Sequence, residues 1–141
     1  MKILKTGCGN NSEAYIEERL TDGVNIIFSN DNNKGKTIIF QGLMYALGND
    51  PIFPSGFEYK NYYFYTSIEH QGKIYEFLRK NNSIAIKSDS GVTVLDDISD
   101  LKYFFSNLHA HIHLLQGLTS LLWLSVHKVR HLKSLYLYTP A

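Results

Sequence analysis

The sequence predicts an α/β domain with α+β character, in which a strand–loop–helix unit precedes an antiparallel β-meander. Two observations carry this prediction. A β-branched, apolar run at residues 24–28 leads through a polar loop into residues with helical spacing, and two pairs of strand-like runs follow, each pair joined by a polar turn. The 141 residues suffice for one modest domain with its own core, and the 10 Tyr and 8 Phe favour β structure.

Three strands and one helix are predicted before residue 55. MKILKTG forms a first strand that the polar turn GCGNNS ends, and EAYIEERL is interpreted as a second strand. VNIIFS has the composition of a strand buried on both faces. From Lys36 onward the apolar residues recur near helical spacing, and Gly48 stands where a C-terminal helix glycine belongs, shortly before Pro51.

Strand signals dominate between residues 62 and 97. Two β-rich runs surround HQG within YYFYTSIEHQGKIYEFLRK, which predicts a hairpin. SIAIKSDSGVTVLDD repeats the pattern around SDSG, as a second hairpin or a continuation of the meander. Ser99 is a candidate N-cap for a short helix within ISDLKYFFSN.

The loop before the first helix contains the second half of a phosphate-binding motif, Gly35-Lys36-Thr37. In such a motif, backbone N–H groups at a helix N-terminus converge on phosphate oxygens. The lysine reaches the β- and γ-phosphates, and the next hydroxyl binds Mg²⁺. The sequence therefore predicts a nucleotide site with Thr37 as the metal ligand and no catalytic residue. The predicted binding residues are Asn30, Asn32, Asn33, Lys34, Gly35, Lys36 and Thr37.

Two asparagines depart from the motif. Asn30 stands where the motif expects its opening glycine, and Asn33 occupies another position where glycine is frequent. Asparagine is the non-glycine residue that most readily adopts positive φ, and the phosphate donors are backbone groups. The exchanges therefore remove no donor. The alternative is a strand–turn–helix junction that contains GKT by chance.

A family resemblance adds to these observations. VNIIFSNDNNKGKTIIFQGLMYALGND resembles the N-terminal ATP-binding segment of SMC, RecN and RecF-type ATPases, the ABC-like P-loop ATPases of chromosome maintenance and DNA repair. The matching features are Asn25 in the strand, Asn32 in the loop, GKT, and YALG at the helix end. YTSIEHQGKIYEFLRKNNSIAIKSDSGVTVLDD resembles the β-meander of the same lobe. The resemblance covers roughly residues 1–105 and implies a partial ABC-ATPase-like lobe that binds ATP and Mg²⁺.

The motifs that complete such an ATPase are missing. The resembled family also uses a glutamine loop, an LSGGQ-like signature, a Walker B segment and a switch histidine, whereas Asp100 is the last acid of this chain. Hydrolysis needs a carboxylate that orients water and a charge partner for the γ-phosphate. We therefore expect nucleotide binding without efficient hydrolysis by the chain alone. Completion would come from a second copy or a complementary ATPase half, and DNA association is implied by the resemblance alone.

The composition changes near residue 107 and predicts a division into an ATP-binding lobe, residues 1–106, and a basic, His/Leu-rich tail, residues 107–141. Residues 1–100 hold 10 Lys/Arg and 13 Asp/Glu, whereas residues 101–141 hold four Lys/Arg and no acid. Three interpretations of the tail stay open. The alternating His109, His111 and His113 suit a metal site, the leucine-rich stretch suits a membrane or partner helix, and the composition suits truncation or translation out of frame.

Composition also indicates the compartment. Cys8 is the single cysteine, so an internal disulfide is excluded and a reducing environment is favoured. No run of about 20 apolar residues and no signal-peptide pattern is present, so we expect a cytoplasmic protein without a membrane partner. The competing hypotheses are a small non-catalytic interaction module, in which NDNNKGKT is just a loop, and a non-functional gene remnant.

Overall fold

Strands dominate the described part of the chain, which in this computed structural model comprises residues 1–28, 30 and 35–108. The helices are α1 (Lys36–Ala46) and α2 (Asp100–Asn107), and a short 3₁₀ turn covers Tyr59–Asn61. The chain divides into two units, Met1–Leu101 and Lys102–Ala141. The strands are β1 (Lys2–Gly9), β2 (Ala14–Glu17), β3 (Tyr63–His70), β4 (Lys73–Lys80), β5 (Ser83–Ser88) and β6 (Gly91–Leu95).

All six strands pair antiparallel in one open sheet with the order β2-β1-β3-β4-β5-β6. Gln71 and Gly72 join β3 to β4 with φ values of 52° and 75°. Positive φ at both central residues suits the right-handed twist of the flanking strands. Both predicted hairpins are confirmed, and the second continues the same sheet.

The predicted fold class, an α/β domain built on a P-loop strand–loop–helix unit, is wrong: the described residues form a mostly β, six-stranded antiparallel open sheet with two short helices. Residues 24–28, predicted as a doubly buried strand, belong to no strand. Val24, Ile26 and Phe28 are 87%, 52% and 45% exposed. A doubly buried strand needs neighbouring strands, and no described strand pairs with this segment.

One face of the sheet, here called the inner face, carries the core. Alternation along the strands directs Phe64, Phe77 and Ile84 to this face, and each is fully buried. The second half of α1, from Gly42, packs on the same face and is buried as well. An aromatic cluster fills the contact, with Tyr45 and Phe64 as its buried members and Phe53, Phe57, Tyr59 and Tyr62 around them.

The end of α1 follows the sequence prediction closely. Gly48 has φ 100°, and its N–H donates to the carbonyl of Tyr45 at 3.0 Å. The N–H of Asn49 donates to the carbonyl of Met44 at 3.1 Å. This pair of bonds satisfies carbonyls that have no partner inside the helix and requires the left-handed conformation that glycine adopts at low cost.

The close approach of α1 to β3 depends on Gly42. A Cβ atom at this position would lie 2.7 Å from Cδ1 of Phe64, whose ring is fully buried. We expect Gly42→Ala to lower the free energy of unfolding by about 1–2 kcal/mol, because overpacking outweighs the gain of about 1 kcal/mol in helix propensity. Urea unfolding measures the change. Gln41→Ala, one residue away, is the control, and a Gly42→Ala protein more stable than wild type would contradict the prediction.

Candidate functional site

The GKT motif lies at the start of α1. Gly35 is the N-cap residue with φ 76° and ψ 5°, and its carbonyl accepts the helical bond from the N–H of Ile39 at 3.1 Å. No described residue beyond its chain neighbours lies within 4 Å of the position where a Cβ of Gly35 would be, so this glycine is favoured by its backbone conformation. Lys36 and Thr37 then open the first turn, with Lys36 partly exposed and Thr37 exposed.

The electrostatics of this helix start favour an anion. The first N–H groups of a helix have no intrahelical acceptor, and they carry partial positive charge. Within the described residues, no side chain caps the start of α1, and its first turn has no acidic residue. Gly35, Lys36 and Thr37 therefore combine backbone donors, one ammonium group and one hydroxyl on an 11-residue helix.

Part of the predicted site lies outside the described residues, namely Asn32, Asn33 and Lys34. Asn30 is described and exposed. The structure brings Gly35, Lys36 and Thr37 together by sequence adjacency on one helix turn, and the contribution of the asparagines to a phosphate cradle stays a prediction. The role of Thr37 as a Mg²⁺ ligand stays a prediction as well.

The segment before the loop was predicted as a strand, but the structure shows a local turn there. The side chain of Asn25 closes a local turn: its Oδ1 accepts from the N–H of Thr21 at 2.8 Å, and its Nδ2 donates to the carbonyl of Thr21 at 2.9 Å. The turn predicted at TDG therefore extends to Asn25. Ile27 and Phe28, which follow, are 37% and 45% exposed.

Sequence reasoning missed the residue that fixes the far end of α1. The guanidinium of Arg79 on β4 donates from Nη1 to the carbonyls of Tyr45, at 2.7 Å, and Asn49, at 3.0 Å. Its Nε donates to the carbonyl of Asn81 at 2.9 Å, and its plane lies over the Tyr45 ring, 3.6 Å from the centroid. Burial lowers the pKa of Arg79 from its ordinary value. The sequence did contain a signal for this position. Arg79 alternates with Tyr75 and Phe77 along β4, so its side chain is expected on the same inward face of the strand.

An open cleft of about 930 Å³ lies beside Arg79, lined among others by Asp50, Tyr59, Tyr63 and Lys80. It adjoins the C-terminal end of α1, whereas Lys36 opens the other end. At a rise of about 1.5 Å per residue, the two ends of this helix are roughly 15 Å apart. The cleft and the predicted phosphate site are therefore separate places.

The three interpretations of the tail concern residues outside the described part of the chain. These include His109, His111, His113 and the leucine-rich stretch, and the predicted division at residue 107 stays a prediction. In the part that the structure describes, no group of three or more His, Cys, Asp or Glu side chains is placed to hold a metal ion. None of the described helices has the length and apolar character needed to cross a membrane.

Comparison with known proteins gives one partial similarity. No family model matches the chain, and no solved structure matches it. The chain is similar to the Lamassu protein LmuB of Bacillus cereus (strain VD014), with 30% identity over 88 residues. The match covers 62% of this chain and 15% of LmuB, so the chain spans a small part of that relative's length. LmuB is SMC-like, and the similarity therefore indicates a distant SMC-like relationship.

Proposed function

We propose that this chain is a partial, SMC-like nucleotide-binding lobe that binds ATP with Mg²⁺ at the start of α1. The observation that carries the proposal is the left-handed Gly35 placed directly before Lys36 and Thr37, at a helix N-terminus that no described side chain caps. This is the local geometry in which backbone donors, an ammonium group and a hydroxyl meet a triphosphate. The distant similarity to SMC-like LmuB supports the SMC-like part of this proposal.

Each proposed residue has a distinct role. Lys36 neutralises the β- and γ-phosphates, and Thr37 ligates Mg²⁺. The backbone N–H groups of Asn33, Lys34, Gly35 and Lys36 hold the phosphate oxygens, with Asn30 and Asn32 completing the loop. Because these contacts bind phosphate without positioning an attacking water, the proposed activity is binding and not efficient turnover.

A second polypeptide surface is proposed to complete the site. The apolar side chains at residues 24–28 border the predicted loop and are exposed to solvent. Exposure of adjacent apolar side chains is unfavourable, and such a patch is typical of an interaction surface. We propose that a second copy of this chain or a complementary ATPase half covers them. A role in the cytoplasm and in DNA-associated processes belongs to the same proposal and follows from the resemblance.

The test is equilibrium binding of a fluorescent ATP analogue in the presence of Mg²⁺. We expect Lys36→Ala to weaken binding at least about tenfold, equivalent to about 1.4 kcal/mol, because it removes the charge that neutralises the phosphates. Lys73→Ala removes the same charge from an exposed position on β4 and serves as the matched control. Thr37→Ala is expected to reduce the dependence of binding on Mg²⁺.

Two results would contradict the proposal. One is the absence of binding by wild-type protein whose circular dichroism shows a folded sheet. The other is equal loss of binding in Lys36→Ala and Lys73→Ala, which would mean that the nucleotide responds to the net charge of the protein and does not bind at a defined site. Either result would favour the interaction-module hypothesis, in which the GKT segment is a loop without a ligand.

A further inference from the structure

Among the described residues, the strand β6 forms one edge of the sheet, and the strand itself has no feature that protects an edge. Its five residues, GVTVL, include no charge and no proline. Val92 and Val94 are 66% and 62% exposed, and Thr93 between them is exposed as well. An edge of this kind presents unpaired N–H and C=O groups together with apolar side chains, which is the template for adding a further strand.

The opposite edge differs in charge, although Tyr15 and Ile16 on it are also exposed. Strand β2 is four residues long, and charged groups cover its end. Nε and Nη2 of Arg19 donate to the two carboxylate oxygens of Glu17, each at 2.8 Å, and Lys5 bonds Glu18 across the strand pair at 2.9 Å. Short length and charge are the devices that prevent edge-to-edge pairing. In the part of the chain that the structure describes, charge therefore protects the β2 edge, whereas the β6 edge has no such protection.

The face of the sheet opposite α1, here called the outer face, continues an apolar row up to this open edge. The register places Val94 beside Ala85, Ala85 beside Leu78, and Leu78 beside Tyr65. Leu78 is 41% exposed. An added strand with apolar side chains on the outer face would extend this row by one position, and cross-strand pairs of this type stabilise sheets.

Acidic residues bracket the edge. Asp89 precedes β6, and Asp96 and Asp97 follow it, all three exposed. Two lysines of the neighbouring strands are engaged: Lys87 bonds Glu76 at 2.9 Å, and the ammonium group of Lys80 lies over the Tyr63 ring. The edge is thus neutral along its length and negative at both ends.

This charge pattern indicates which kind of added strand the β6 edge can bind. If two copies paired antiparallel about Thr93, residue 89 of one copy would lie opposite residue 97 of the other. Each contact would then bring two carboxylates together, and like charges directly opposite each other destabilise a strand pair. A partner with basic residues at both ends would instead meet opposite charge at each end.

We propose that the β6 edge binds an extended segment of a partner protein, with an alternating apolar core of about five residues flanked on both sides by lysine or arginine. The sheet supplies main-chain hydrogen bonds, Val92 and Val94 pack against the apolar side chains, and Asp89, Asp96 and Asp97 select the basic flanks. This inference is independent of nucleotide binding at α1, which lies on the other face of the sheet.

Fluorescence anisotropy with two labelled peptides tests the proposal on the full chain. The probes are acetyl-KKVTVTVKK-amide and its charge-reversed counterpart acetyl-EEVTVTVEE-amide. We expect the basic peptide to bind at least about tenfold more tightly, and we expect hydrogen exchange of backbone amides in β6 to slow when it is bound. The double variant Val92→Lys, Val94→Lys changes exposed positions, so it should fold and should lose the peptide.

A second variant tests charge selection separately. Asp89→Asn with Asp96→Asn removes two of the carboxylates and leaves Asp97, whose Oδ1 accepts the N–H of Ser99 at 2.8 Å, in place. Its preference for the basic peptide is expected to fall to about threefold or less. The proposal is overturned if folded wild type binds neither peptide, if it binds both equally, or if the lysine variant still binds. Self-association that the lysine variant abolishes would also overturn it, in favour of a second copy.

Discussion

Replacing Phe64 by alanine is expected to lower the free energy of unfolding by about 4 kcal/mol, the middle of the range for deleting a buried aromatic ring. Phe64 is fully buried and stacks on Phe53 with ring centroids 5.0 Å apart. The Tyr45 ring meets it edge-on at 5.2 Å, and Gly42 lies against it. Alanine would leave a cavity between α1 and β3 that these neighbours fill incompletely. Urea unfolding followed by circular dichroism measures the loss.

The neighbouring residue supplies the control. Tyr63 precedes Phe64 on β3, points to the other face and is 41% exposed. Tyr63→Ala is expected to cost about 1 kcal/mol, since Tyr63 stays partly exposed and lies outside the buried aromatic cluster. Phe64→Leu retains most of the buried volume and is expected to cost about 1.5 kcal/mol. Equal losses in Tyr63→Ala and Phe64→Ala would mean that the aromatic cluster does not hold α1 on the sheet.

Replacing Arg79 by methionine is expected to lower the free energy of unfolding by about 3 kcal/mol, although methionine suits a buried position in size. The guanidinium donates to the carbonyls of Tyr45, Asn49 and Asn81, and the side chain is 5% exposed. Methionine would take the guanidinium donor from the Asn49 carbonyl and one of two donors from the carbonyls of Tyr45 and Asn81, which keep their bonds from the Gly48 N–H and the Tyr45 hydroxyl. A cation at the C-terminal end of α1 is also favourable because the helix carries partial negative charge there.

Lysine distinguishes the role of charge from that of geometry. Arg79→Lys keeps the positive charge, but one ammonium group lacks the planar fork that reaches carbonyls on both sides, so we expect it to restore less than half of the lost stability. Lys73→Met removes a charge from an exposed position of the same strand and is expected to change stability by at most about 0.5 kcal/mol. An Arg79→Met protein as stable as wild type would show that the arginine contributes no net stability.

Local sequence signals predicted most of the individual elements. The β-rich composition of two neighbouring runs located β3 and β4, and the turn signal HQG around Gly72 located the hairpin between them. Helical spacing and Gly48 set the bounds of α1, and GKT was placed at its start. These features depend on neighbours within a few residues, so a single sequence specifies them.

Long-range features were not predicted. The bonds from Arg79 to Tyr45 and Asn49 join residues separated by 34 and 30 positions, and no local pattern indicates which carbonyls an arginine will meet. The composition of residues 24–28 is that of a buried strand, yet burial requires partners that this segment does not find among the described strands. The composition of this segment therefore indicated a preference for strand structure, but it did not predict whether the segment would be buried in a sheet.

The sequence by itself determined most of the strands, both hairpins, the bounds of α1 and the position of GKT at a helix start, because backbone conformation and side-chain periodicity are local properties. The tertiary structure decided that the strands form one antiparallel sheet, that Arg79 holds the end of α1, and that β6 is an unprotected edge. These outcomes depend on which segments meet, and the physical reason is that burial and hydrogen bonding between distant residues are set by the whole fold.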